Sequence, residues 1–163
     1  MRITKRRFLG ALLLGAGVAL SGMGRALARS FERLALSEQE WGRRLTPERF
    51  VILREGGTER PFSSALNDEK RDGMYHCAGC DLALFESSKK YNSGTGWPSF
   101  YDVIMGHVET RTDYMLIFPR TEYHCARCDG HQGHVFKDGP KPTGLRYCNN
   151  GLALTFKPAT NPS

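Results

Sequence analysis

The first 28 residues contain no aspartate or glutamate, and their one apolar run, Phe8 to Leu20, is too short to span a bilayer comfortably. Five basic residues, Arg2, Lys5, Arg6, Arg7 and Arg25, lie in this stretch. Removing them from the 23 of the whole chain leaves 18 basic against 17 acidic residues, so a net charge of +6 becomes +1 for the body. A body so close to neutral offers no electrostatic case for nucleic acid as a partner. Internal repeats are also absent, apart from two C-x-x-C units. Cysteine is scarce and odd in number, five in 163 residues, so no scheme pairs them all. What is present, 40% apolar and 10% aromatic residues, is enough for one globular domain with a buried core.

The leader combines Lys5-Arg6-Arg7, the apolar run and Ala26-Leu27-Ala28, an A-x-A cleavage pattern. It is read as an export signal over residues 1–28, leaving 29–163 as the mature domain in the periplasm or otherwise outside the cytoplasm. "TKRRFLG" is similar to the twin-arginine signature, whose substrates fold, and can load metal, before export. A retained leader would tether the chain to a membrane, and an arginine-rich mitochondrial presequence is the other reading.

Two short helices should open the body. Ser37 and Glu40 form a capping box ahead of Trp41; Thr46 caps a second helix with Pro47 in its first turn and Gly56-Gly57 as its stop. From Met74 onward, short alternating runs between Gly, Pro and Asn predict antiparallel β structure. "DYMLIFPR", with Tyr114, Leu116 and Phe118, and "LALTF", with Leu152, Leu154 and Phe156, read as half-buried strands.

Cys77-Ala-Gly-Cys80 and Cys125-Ala-Arg-Cys128 are separated by 44 residues. Two such turns can aim four thiolates at one tetrahedral zinc ion, and the long gap would make the site join distant parts of the fold. Two disulfides, or one redox-active pair, are the alternatives. Cys148 is left over. If "LRYCN" is extended, Arg146, Cys148 and Asn150 share a face, where a cation and an amide donor favour the nucleophilic thiolate. His131 and His134, in "DGHQGHVF", can exchange protons near neutral pH. Against this stands a buried, inert Cys148 and histidines that merely satisfy backbone groups. "YNSGTGWPSFYD" holds Trp97 on a turn-rich loop, where an exposed indole would suit a thioether methyl and a buried one would be ordinary core.

Together "RDGMYHCAGCDLALF", "SGTGWPSF", "CARCDGHQGHVFKDGP" and "PTGLRYCNN" resemble, in the same order, the B-type methionine-R-sulfoxide reductases, over about residues 36–156. The resemblance implies a mainly β fold of two antiparallel sheets, of tent or distorted-barrel type, with short N-terminal helices. One structural zinc ion would be held by Cys77, Cys80, Cys125 and Cys128. It further implies Cys148 as nucleophile, His131 and His134 as active-site histidines, Asn150 and Arg146 as polar partners of the thiolate, and Trp97 as the wall for the substrate methyl. The implied reaction is reduction of methionine-R-sulfoxide, free or in proteins, at the expense of an external thioredoxin-like thiol. Many members carry a resolving cysteine where this chain has Thr95, so a cycle using Cys148 alone is expected. Gln132, Asn149 and Gly151 also depart from the usual pattern. A disulfide-exchange protein and a non-catalytic zinc module remain the competing readings.

Overall fold

The structure is a computed structural model that describes residues 31–115 and 117–160; the expected leader lies outside the described residues. Two helices come first, α1 (Glu38–Arg44) and α2 (Pro47–Glu55). Ser37 caps α1 reciprocally with Glu40, and Thr46 caps α2, which ends at Gly56 with φ 70°, a backbone conformation that an L side chain would strain. Trp41 is buried beneath the guanidinium of Arg54, 4.9 Å from its ring centre.

Nine strands follow: β1 (Gly73–Cys77), β2 (Ala83–Glu86), β3 (Lys90–Tyr91), β4 (Ser99–Phe100), β5 (Val108–Asp113), β6 (Arg120–Cys125), β7 (His131–Phe136), β8 (Arg146–Asn149) and β9 (Leu154–Pro158). They form two antiparallel sheets, ordered β2-β1-β9 and β3-β4-β8-β7-β6-β5, and neither closes into a barrel. The mainly β, two-sheet architecture with short leading helices is as the resemblance implied. Between the sheets lies an aromatic core. Phe85 stacks on Phe100 at 4.1 Å, Tyr75 meets Phe100 and Phe156 on edge or tilted, and Tyr123 closes the cluster against Phe85 and Tyr147. Tyr75, Phe85, Phe100 and Tyr123 are fully buried, and burial of each of the two phenylalanines stabilises the fold by roughly 1.5–3 kcal/mol.

One expected strand is absent. Pairing of β5 with β6 stops at Asp113 opposite Arg120, and the described residues between them, 114, 115 and 117–119, are exposed and belong to no strand. Tyr114 and Phe118 are 75% and 81% exposed; Leu116 lies outside the described residues. Asp113 ends the strand because its carboxylate accepts from the Met115 amide at 2.8 Å and from Arg120 at 2.7 Å, closing a turn where alternation alone suggested continuation. In "LALTF", Gly151–Ala153 form a 3-10 turn and the strand begins only at Leu154, which is buried.

Candidate active site and metal centre

The two C-x-x-C units form matching turns. The Asp81 amide donates to the Cys77 carbonyl at 2.8 Å, and the Asp129 amide donates to that of Cys125 at 2.9 Å. Asp81 and Asp129 both take positive φ, 63° and 59°, a region that aspartate tolerates better than most residues. The first turn leaves β1 of the three-stranded sheet and the second leaves β6 of the six-stranded sheet, so the cysteine cluster ties the sheets together, as the long gap predicts. All four cysteines are buried, and their sulfurs lie within 4.8 Å of one another. The closest pairs cross between the turns, Cys77 to Cys128 at 3.6 Å and Cys80 to Cys125 at 3.5 Å. A tetrahedron with metal–sulfur bonds of ~2.3 Å has edges of roughly 3.8 Å, so this donor set fits one thiolate-bound metal ion. Disulfide bonds, at ~2.05 Å, do not describe these pairs. The Gln132 amide adds a donor 3.4 Å from the Cys77 sulfur.

Cys148 occupies a different place. It sits on β8 opposite Ser99 of β4 on one side and opposite His134 of β7 on the other. The approach of β7 to β8 is close enough that a Cβ on Gly133 would lie 1.9 Å from the Cys148 carbonyl oxygen, so glycine is required there. Cys148 is half-buried and lines a cavity of about 130 Å³ with Trp97, His134, Phe136, Arg120, Gly133, Asn149, Asn150 and Thr58. Of the residues nominated from sequence, Cys148, His134, Trp97 and Asn150 therefore share one pocket.

Trp97 is held as a wall rather than lost in the core. Its indole N–H donates to the Glu59 carbonyl at 3.1 Å, and the Glu59 carboxylate accepts from the Gly151 and Leu152 amides at 2.5 and 2.9 Å. Gly96, with φ 92°, precedes it where a Cβ would meet Pro61 and Phe62 at 2.8–2.9 Å. Asn150 lies just past the end of β8. Its side-chain Oδ1 accepts from the Glu59 backbone amide at 3.1 Å and its side-chain NH₂ donates to the Gln132 carbonyl at 3.2 Å, so its bonds among the described residues brace the pocket floor.

The histidines differ. His134 faces the cavity and bonds through Nε2 to Asp113 at 2.7 Å, the carboxylate that also holds Arg120. His131 is 4% exposed and lies behind, its ring 5.5 Å from that of His134. Its Nδ1 bonds to Glu122 at 2.8 Å, Glu122 is itself paired with Arg111, and burial lowers the His131 pKa. Residues three apart on a regular strand face opposite sides. The rings meet because the β6–β7 register slips between Tyr123 and His124. Asp113 and Glu122 were not foreseen: nothing in their sequence neighbourhood marks them, since only strand pairing sets them beside the histidines.

Arg146 forms a double ion pair with Asp138, at 2.9 and 2.8 Å, and stacks over Phe136. Burial pushes the Cys148 thiol up, and the Arg146 charge together with hydrogen bonds from Thr95 and Arg146 pulls it back only in part. The Thr95 hydroxyl continues to Ser93 at 2.8 Å and on to Ser99 at 2.7 Å, a hydroxyl chain ending beside the sulfur. Since the folded-state pKa is raised, the thiolate fraction is small at neutral pH and grows as pH rises. Alkylation of Cys148 by iodoacetamide, followed by peptide mass spectrometry, should therefore speed up by about tenfold per pH unit through neutrality. Arg146→Leu should slow it at pH 7 by about threefold to tenfold, having removed the neighbouring cation. A wild-type profile already flat at pH 6 would contradict burial as the dominant influence.

Residues 45–158 match the SelR domain. The chain is 48% identical to the rat mitochondrial methionine-R-sulfoxide reductase B2 over 151 residues, 88% of this chain and 87% of that protein. It is 55% identical to the peptide methionine sulfoxide reductase MsrB of Pseudomonas putida over 123 residues, 74% of this chain and 91% of that one. With the chloroplastic peptide methionine sulfoxide reductase B1 of Arabidopsis thaliana it shares 52% identity over 128 residues, 78% of this chain but only 63% of the plant protein. A domain match over most of the body, around a pocket that gathers the lone thiol, an indole and a histidine, places this chain in the SelR-domain family of B-type methionine-R-sulfoxide reductases.

Proposed function

We propose that this protein is an oxidoreductase that reduces methionine-R-sulfoxide to methionine at Cys148. The observation that carries the reading is a half-buried thiol in a cavity sized for one side chain, with Trp97 and Phe136 as apolar walls and His134 opposite the sulfur. The Cys148 thiolate attacks the sulfoxide sulfur and forms an S–S bond while the oxygen takes a proton from the His134 side. Transfer of that hydroxyl to the Cys148 sulfur then breaks both the substrate S–O bond and the new S–S bond, leaving a sulfenic acid on Cys148 and the substrate as a thioether. His134 is assigned the proton delivery because it lines the cavity, while His131 sits behind it as support. Trp97 packs against the methyl group, and Arg146 favours the thiolate.

Thr95 cannot resolve a sulfenic acid, and the other four sulfurs are enclosed in the metal cluster. An external thiol therefore attacks Cys148, releasing water and forming a mixed disulfide; a second thiol displaces Cys148 and leaves the external pair oxidised. A thioredoxin-like dithiol supplies both. The four-cysteine site would hold one zinc ion, which contributes stability and no electrons. The 1–28 leader is proposed to carry the domain out of the cytoplasm.

With dithiothreitol as reductant, the R epimer of methionine sulfoxide should turn over and the S epimer should not. Stopping one turnover in dimedone should place a single adduct on the peptide containing Cys148. Equal turnover of both epimers, or an adduct on a cysteine of the cluster instead, would remove this assignment.

A further inference from the structure

The loop between β5 and β6 is the largest concentration of exposed apolar side chains among the described residues. Tyr114, Met115, Ile117 and Phe118 are 75%, 79%, 94% and 81% exposed, and no charged residue occurs from 114 to 119. Single exposed apolar residues are ordinary on protein surfaces, whereas a cluster of this kind marks a contact surface.

The neck of this loop belongs to the pocket. Asp113, its first flank, bonds His134 at 2.7 Å, and Arg120, its last flank, lines the cavity; the two are bonded to each other at 2.7 Å. A cavity of about 130 Å³ admits one side chain, so the backbone and neighbouring residues of a larger substrate must stay outside, at its mouth. We propose that Tyr114, Met115, Ile117 and Phe118 form an exosite that grips apolar residues flanking the oxidised methionine in an unfolded polypeptide. This rests on the function proposed above and narrows it, since free methionine sulfoxide has no flanking residues to offer.

Two other occupants fit less well. A membrane surface would call for basic residues around the apolar tip. Here Arg120 is paired with Asp113, Arg111 is paired with Glu122, and β5 carries two acids against one arginine. A second copy of the chain pairing along β5, an edge strand, would have to bring together Glu109, Arg111 and Asp113, side chains of the kind that blunt sheet edges.

The test compares wild type with the triple variant Tyr114→Ser, Ile117→Ser, Phe118→Ser, using free methionine-R-sulfoxide and an oxidised, permanently unfolded casein as substrates. The expected result is unchanged kcat/KM for the free amino acid and a KM for casein raised by about tenfold, with kcat retained. Equal losses on both substrates, or no loss on either, would overturn the exosite. So would a wild-type dimer that becomes monomeric in the variant by sedimentation while casein kinetics stay the same, or loop-dependent binding to anionic vesicles with the same kinetics. If wild type turns over neither substrate, the catalytic reading fails first, and intrinsic binding of the reduced, unoxidised casein still tests the loop: weaker binding by the variant supports it, and equal binding rejects it.

Discussion

Cys148→Ser should abolish turnover of methionine-R-sulfoxide, with kcat falling by at least about a thousandfold, the scale on which loss of a nucleophile acts. A serine hydroxyl is not ionised at neutral pH and cannot store the oxygen as a sulfenic acid, so neither half of the cycle survives. The protein should stay folded. Cys148 is only half-buried and does not belong to the buried apolar core, and serine is nearly isosteric. The measurement is steady-state reduction with excess dithiothreitol, beside a thermal melt. A folded variant retaining more than a hundredth of wild-type activity would mean that another sulfur attacks the substrate.

Replacing one cluster cysteine, as in Cys128→Ser, should act on stability instead. Removing a thiolate from a buried four-sulfur site leaves the metal under-coordinated, and metal binding in such sites is coupled to folding. The expected loss is on the order of 5 kcal/mol, comparable with the total stability of a small domain. The damage should spread, because Cys128 packs under α2: a Cβ placed on Gly79 would contact the Cys128 sulfur, Leu53 and Trp41 together, each at 3.6 Å. Metal content by mass spectrometry should fall from one ion per chain towards zero, and chelation of the wild type should reproduce the lowered melting temperature. A Cys128→Ser protein that melts with wild type and holds no metal would show that the sheets do not depend on the cluster.

These two outcomes divide the five cysteines as sequence spacing already divides them. Each C-x-x-C turn is a local object, four residues whose backbone closes on itself, so its ligand geometry follows from the chain alone. The helix boundaries are local for the same reason. Ser37 with Glu40, and Thr46 with Pro47, satisfy free amide groups within one turn of chain, and the structure places α1 and α2 where those signals put them. The hairpin loop shows where local reading fails. Alternation of Tyr114, Leu116 and Phe118 describes a strand equally well whether or not a partner sheet exists to bury it, and here the strand ends at Asp113.

Composition, spacing and motif order by themselves marked two C-x-x-C turns able to share a metal, a fifth cysteine apart from them, and the family pattern around Trp97, His131 and His134, and the structure then brought the four paired sulfurs together. Only the tertiary structure decided that His134 rather than His131 lines the cavity with Cys148, that Asp113 and Glu122 bond to them, and that Tyr114, Met115, Ile117 and Phe118 are left exposed. The physical reason is that strand register, with its slip between Tyr123 and His124, is set by pairing between segments far apart in sequence. A residue can announce its own chemistry, but its neighbours across a sheet depend on how the whole chain packs.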